Sequence, residues 1–365
     1  MNGTVLSAEA AKQVPSHANN LNFLRFTAAG MVWYGHSFAI RQVPEPLFLG
    51  TVPIGPVGVW IFFAISGFLV YQSWVRDPRA MAFLLRRSLR IFPGLIVCIL
   101  LSIFVLGPML TRLSTKEYFA HPTTWNYLKN IGLYINYSLP GVFENNPIPH
   151  AVNGSIWSLT IEFMLYLLML AVVLLAGLLS RYRAAESVSS ADIARGWMLS
   201  CLLICCAASL LWAWPYPDMV VFYVTDLRQI VLCGSYFFAG CVLASFNLTK
   251  WLSLSNVTLA FVLMMALSIN SKALQIGSWI TIPIIALGFG LVSHPLGRLF
   301  AKHDYSYGVY IYAFPVQQAV VMLYPGLSMQ GYLAVTGCVI LLLAALSWHL
   351  IEQPMLKFKP TPALR

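Results

Sequence analysis

Residues 20–40 read NLNFLRFTAAGMVWYGHSFAI. The run is apolar and long enough to cross a bilayer, yet it carries two groups that hydrocarbon should reject, Arg25 and His36. They stand eleven positions apart, almost three whole helical turns, so both side chains project from one face. At a rise of about 1.5 Å per residue they lie roughly 16 Å apart along the axis, about half the hydrocarbon thickness. An ionisable group at membrane depth is costly unless it faces protein or water, so the shared face points to a functional track. The structural alternative has Arg25 snorkelling to the headgroups and His36 bonded to a neighbouring helix.

Composition agrees with an all-α integral membrane protein. Hydrophobic residues make up 59% of the 365-residue chain and charged residues 9%, and mean hydropathy is +0.75. A soluble core could not hide that much apolar surface, whereas lipid can cover it. The formal charge of +10 then reads as topology and lipid contact rather than nucleic-acid binding. The seven cysteines fall in or beside apolar runs, with no metal spacing and no disulfide framework, and are expected to fill the core. Residues 1–19 are polar with a single Lys12. No cleavage pattern follows them, so the first helix is expected to stay as an anchor.

About ten transmembrane helices are predicted, near 20–40, 54–74, 88–107, 155–179, 197–214, 228–247, 253–270, 274–292, 305–324 and 331–351. The segment 125–143 is aromatic and only partly apolar, which predicts an interfacial or re-entrant helix. Alternating the spans from a cytoplasmic N-terminus puts 16 of the 22 Lys and Arg inside, as the positive-inside rule requires. The expected layout is a cytoplasmic tail over 1–19, a membrane domain over 20–354 and a cytoplasmic tail over 355–365. Arg25 then lies near the cytoplasmic face and His36 in the outer half.

The densest charge is RRSLRIFP over 86–93. Arg87 and Arg90 are three apart on one helix face, and guanidinium groups clustered at a helix start suit a polyanionic phosphate ligand. The ordinary reading is a basic loop touching lipid headgroups, which suffices for Arg76 and Arg79. In the second span, Ser66-Gly67 lets another helix or a ligand approach the backbone closely. The external connection 108–153 leads into NGSIWSLTIE over 153–162. Ser155 is a candidate helix cap, and Glu162 falls about two turns below the outer end of its helix, near the depth of His36. A carboxylate there could orient the imidazole and raise its basicity. Pairing of Glu162 with an arginine, or capping by Ser158, is the structural alternative. Trp125, Tyr134 and Tyr137 could stack on sugar rings, or form an interfacial aromatic belt.

Arg25 through ten residues to His36, then GVWIFFAISGFL, RRSLRIFP, NGSIWSLTIEF, SYGVYIYAFPV (306–316) and IEQP (351–354), resemble in that order the acyltransferase-3 family of integral-membrane O-acyltransferases. Any one motif is weak, and together they span roughly 20–354. The resemblance implies an acyltransferase of the bacterial inner membrane that takes acetyl-CoA or another acyl-CoA and no metal. The acceptor implied is a hydroxyl of an exported or cell-envelope polysaccharide, such as lipopolysaccharide or exopolysaccharide, presented as a glycan or lipid-linked saccharide, with polysaccharide-synthesis or export machinery as a partner. It assigns catalytic roles to Arg25, His36 and Glu162, donor binding to Arg87, Arg90 and Arg25, and substrate binding to Trp157, Ser158 and Ser66. Trp60 and Ala313 depart from the family pattern, which often has an acidic residue and a histidine at those positions. Some relatives carry a hydrolase-like domain after the last helix; here transfer is expected to use the membrane domain itself or a separate partner.

The expected mechanism holds the donor phosphates at the cytoplasmic mouth on Arg87 and Arg90 while the thioester reaches up towards His36. The imidazole deprotonates a hydroxyl arriving from outside, by direct transfer or through an acyl-histidine. A proton-coupled transporter or flippase of glycan precursors could use the same Arg–His–Glu path. A purely structural partner in an export complex would leave the ionisable stripe unexplained.

Overall fold

The computed structural model describes residues 20–182, 189–213, 218–292, 295–300 and 302–361. The predicted tail 1–19, with Lys12, lies outside them, as do Arg183 and the tip of the second tail, 362–365.

Helices occupy all ten apolar stretches: α1 Leu21–Ile40, α2 Ile54–Arg76 and α3 Ala80–Leu110, then, after the short α4 Thr115–Ala120 and α5 Pro122–Asn126, α6 Trp157–Tyr182 and α7 Ser190–Ala213. They continue with α8 Leu227–Ser245, α9 Leu254–Leu267 and α10 Ser271–Leu291, and after the short α11 Pro295–Phe300 with α12 Ser306–Leu323 and α13 Met329–Leu356. Among the described residues the only sheet is two antiparallel hairpins of two-residue strands, Leu47–Phe48 with Val52–Pro53 and Val221–Phe222 with Thr225–Asp226.

Seven described helices are long and apolar enough to cross a membrane: α2, α3, α6, α7, α8, α10 and α13. The other three fall short for reasons visible in their sequences. α9 has only 14 residues, and the polar residues of α1 (Asn22, Arg25, His36) and of α12 (Gln317, Gln318) lower their hydropathy.

The bundle is organised around α2, whose apolar window is 72% buried, against 11% for α7 at the rim. α2 packs on α1, α8 and α10, while α12 joins α1 to α13 and α3. Close approach explains the small residues of α2. A side chain at Gly58 would meet the backbone oxygen of Ala28 on α1, and one at Gly67 would meet that of Phe237 on α8. Gly67 therefore serves helix packing, and its neighbour Ser66 is left to face the other way. Of the cysteines, Cys98, Cys233 and Cys241 are buried, Cys201, Cys205 and Cys206 are half-buried, and Cys338 is exposed rather than in the core.

Two sequence expectations change. α3 begins at Ala80, eight residues before the predicted start, so Arg87 and Arg90 sit two and three turns into a helix and Pro93 lies in its interior. The proline therefore does not mark where the helix begins. The segment 125–143 is no single helix: a 3-10 turn over Tyr127–Gly132 ends at Leu133 with φ +59°, and irregular chain follows. The Asn130 side chain takes the place of helical bonding there, with Nδ2 donating to the Tyr127 and Asn136 carbonyls and Oδ1 accepting from the Asn136 N–H, all at 2.9 Å.

Candidate active site

A cleft of about 760 Å³, open mouth included, lies between α1, α2, α3, α6 and α12. It gathers Arg25, Ser66, Arg87, Arg90, Ser158 and Glu162, six of the eight residues singled out in the sequence, with Tyr166, Ser306 and Tyr310. On α2 it runs from Leu69 to Val59, about 15 Å of helix.

At one end the arginines separate into two kinds. Arg90 Nη2 meets Asp304 Oδ2 at 2.7 Å, Arg25 Nη1 meets the same oxygen at 3.3 Å, and Arg90 Nη1 stands 3.7 Å from Glu352 Oε2. The second Asp304 oxygen accepts from the Ser306 hydroxyl and, at 3.3 Å, from its backbone N–H. Burial opposes the Asp304 charge, but Arg90 and Arg25 outweigh it and hold the carboxyl below the ordinary carboxylate range. Glu352 sits in a π-helical turn, Trp348–Glu352, and accepts from the Ser347 hydroxyl at 2.8 Å. Arg87 differs. Its guanidinium makes no ion pair or hydrogen bond among the described residues and its Nε is buried without a partner. Tyr166 presents its ring face 5.9 Å from the guanidinium carbon, and Glu162, which lines the same cleft, lies within electrostatic reach.

Further along the cleft, Glu162 Oε1 accepts from the Ser66 hydroxyl at 2.8 Å and from the Tyr166 hydroxyl, and the two hydroxyls are 2.8 Å apart. Ser158 and Tyr310 share a hydrogen bond at 2.5 Å, and Tyr310 also donates to the Ser155 carbonyl at 3.2 Å. Glu162 is thus neither the partner of His36 nor capped by Ser158. The Ser155 hydroxyl is buried without a bond, so it is not the helix cap. Asn153 does the positioning of this turn, with Oδ1 accepting from the Ser155 N–H at 3.1 Å and Nδ2 donating to the Ile311 carbonyl at 2.8 Å.

His36 and Trp157 do not line the cleft. Trp157 packs partly buried on the core. The His36 ring lies edge-on to Phe314 with centroids 5.4 Å apart, and its Nδ1 is buried without a hydrogen-bond partner among the described residues. Gly58, next to Val59 at the cleft's far end, touches α1 over Ala28–Val32, and Gly55 approaches Gly35. His36 therefore stands about one helical turn beyond the cleft. Aromatic side chains fill that turn: Tyr310 lines the cleft and meets Phe62 at 5.7 Å, and Phe314 follows Tyr310 by one turn of α12.

Asp304, Glu352, Tyr166 and Tyr310 escaped the sequence reading. Each carried a signal. Tyr166 is four residues after Glu162 and shares its helix face. Asp304 precedes Ser306 by two at a helix start, and Glu352 stands within the quoted IEQP.

Comparison with known proteins agrees with this architecture. The acyltransferase-3 family, described as an acyltransferase domain, matches residues 19–351. The chain is 29% identical over 350 residues to an O-acetyl transferase of Shigella phage Sf6, covering 93% of this chain and 96% of that protein. It is 28% identical over 382 residues to Nodulation protein 10 of Rhizobium leguminosarum bv. viciae, covering 96% of each. No solved structure matches the chain.

Proposed function

The chain belongs to the acyltransferase-3 family and is a membrane O-acyltransferase, and from that premise we propose that it moves an acetyl group from cytoplasmic acetyl-CoA to a hydroxyl of an envelope or exported glycan. In this reading ten helices cross the bacterial inner membrane, both termini are cytoplasmic, and the arginine end of the cleft opens inward. The observation that carries it is Arg87, which shares the cleft with two other guanidiniums and, among the described residues, makes no ion pair or hydrogen bond, Glu162 acting on it only across the cleft. Desolvating an unpaired guanidinium is costly, and a phosphorylated ligand removes that cost. Arg25 and Arg90, already held by Asp304, keep the mouth positive without being free to move.

The cleft is long enough for a slender pantetheine arm to pass Glu162 and Ser158. His36 accepts the proton of the acceptor hydroxyl, whose oxygen attacks the thioester carbonyl. The carbon–sulfur bond breaks as the carbon–oxygen bond forms, and the imidazolium returns the proton to the departing thiolate. For the thioester to meet the imidazole, Phe314 and Tyr310 must swing aside; Phe314 now packs directly on the backbone of Gly154, where any side chain would clash with its ring. Glu162 holds the Ser66 and Tyr166 hydroxyls at the waist of the path.

The test is transfer of labelled acetyl from acetyl-CoA to surface glycan in membranes bearing the chain or its Arg87→Ala variant. The reading expects label on sugar, lost in the variant at low donor concentration. Equal labelling by both would remove Arg87 from donor binding, and proton-coupled uptake without acylation would replace the enzyme with a transporter.

A further inference from the structure

Glu162 serves Ser66 and Tyr166 rather than His36, but packing brings two other polar groups to the turn of α1 that carries the imidazole. Gly35 and Ser37 flank His36 in sequence, and on a helix each projects about 100° to one side of it. On the Gly35 side stands Glu45, in the connection between α1 and α2. Its Oε1 lies so close to Gly35 that a Cβ there would collide with it, and it accepts from the Gly55 N–H at 2.7 Å. On the Ser37 side stands Gln317 of α12. Its Nε2 donates to the Ser37 hydroxyl oxygen at 2.7 Å and to the Trp33 carbonyl at 2.8 Å. The imidazole therefore projects into the seam between α2 and α12, with Glu45 on one flank, Gln317 on the other and the edge-on Phe314 ring against it.

Both flanks hold spare hydrogen-bond acceptors. Gln317 is fully buried. Ser37 commits its own proton to the Trp33 carbonyl at 2.9 Å, so both amide protons of Gln317 are used and its Oε1 is buried without a donor among the described residues. Turning the amide over would only set Oε1 against the Trp33 carbonyl. Glu45 makes no ion pair among the described residues. It is half-buried, and the Gly55 N–H answers one of its oxygens and leaves the second free. With the unpartnered Nδ1 of His36, the seam offers acceptors on both sides of the imidazole. A buried acceptor without a donor is costly, and ligand O–H groups remove that cost. A sugar ring, with hydroxyls on adjacent carbons, answers several such acceptors at once.

We infer that Glu45 and Gln317 form the acceptor subsite: the hydroxyl to be acylated meets His36, and neighbouring hydroxyls of the same sugar donate to the free Glu45 oxygen and to Gln317 Oε1. The inference rests on the acyltransferase reading given above and deepens it, because it calls for an acceptor with adjacent hydroxyls rather than an isolated alcohol. The half-buried Glu45 flank is the side from which the sugar enters, while the donor comes up the arginine-lined cleft.

The test is labelled acetyl transfer in membranes at saturating acetyl-CoA, with the varied acceptor being surface glycan extracted from the same cells lacking the chain. Coenzyme A binding and thermal unfolding of the purified full chain accompany it. Glu45→Gln keeps an oxygen for the Gly55 N–H and removes the charge, and Gln317→Leu removes Oε1. Loss of a hydrogen bond to a charged group predicts an acceptor KM about 10- to 30-fold higher in E45Q, and loss of a neutral one about fivefold higher in Q317L. Maximal rate and coenzyme A affinity stay within about twofold of the parent. Since Q317L also loosens α12 from α1, it is compared with Ser37→Ala, which loses an interhelix contact but keeps Oε1; equal acceptor KM in these two would overturn the part given to Gln317. Parent-like acceptor KM in E45Q would overturn the inference and leave the acyltransferase reading standing. So would a Glu45→Ala protein that melts lower yet keeps the parent's acceptor KM, since Glu45 would then only cap α2. A parent that labels no glycan would overturn both.

Discussion

The two ends of the functional track are built by opposite rules. At the basic end carboxylates brace the guanidiniums: Asp304 bridges Arg25 and Arg90, and Glu352 approaches Arg90 from a π-helical turn. Bracing of this kind fixes side chains before a ligand arrives. At the other end His36 has one buried nitrogen without a hydrogen-bond partner among the described residues and a ring wedged against Phe314. Glu162, which its spacing puts near that depth, is committed to Ser66 and Tyr166 instead, and Glu45, whose carboxylate lies against Gly35, accepts from the Gly55 N–H at 2.7 Å. In the proposed reading a preformed ionic site and an imidazole behind aromatic side chains divide the work: the first would hold the donor, and the second would become reactive only when the path opens. Keeping water from the imidazole until both substrates are present would also suppress hydrolysis of the thioester.

Substitutions should separate the two ends. The largest effect is expected for His36→Ala, with labelled acetyl transfer down by about 10³-fold or more, the scale of a lost general base, in protein that still inserts and folds. Activity near the parent's would break the comparison by removing the imidazole from the chemistry. Arg87→Ala should raise KM for acetyl-CoA by about 10- to 100-fold, the range of a charge-assisted contact, with kcat much less affected. Asp304→Asn leaves Arg25 and Arg90 facing each other without their shared anion. Breaking a buried pair costs about 3 kcal/mol, read as a lower melting temperature in detergent, with a smaller fall in donor affinity. If Asp304→Asn melts like the parent, the basic end is not braced as described. The smallest effect belongs to Tyr166→Phe, which removes one of two donors to Glu162 and should cost about 1 kcal/mol, a few-fold in rate.

The sequence carried the helical fold because lipid imposes its own length scale: helices occupy the ten apolar stretches, seven of them long and apolar enough to cross a membrane, and boundaries slipped where polar residues do not mark a helix end. α3 shows this, since Arg86, Arg87 and Arg90 look like a boundary but lie inside a helix whose charged face turns to the cleft. The basic residues of the site were legible because charge inside an apolar run is conspicuous. Their acidic partners were not, because Asp304 and Glu352 stand at helix ends, where a carboxylate is unremarkable until the fold brings it across more than 200 positions to Arg90. Depth along a helix was legible and direction was not. Spacing put Glu162 near the level of His36, but only packing shows that it turns to Ser66 and Tyr166.

The central claim is that donor binding and the imidazole are separate in space. Equilibrium binding of acetyl-CoA to purified His36→Ala protein tests it most directly. The account predicts affinity within about twofold of the parent with no acetyl transfer, since His36 stands outside the arginine-lined cleft. Loss of binding in that variant, with the protein folded, would contradict it.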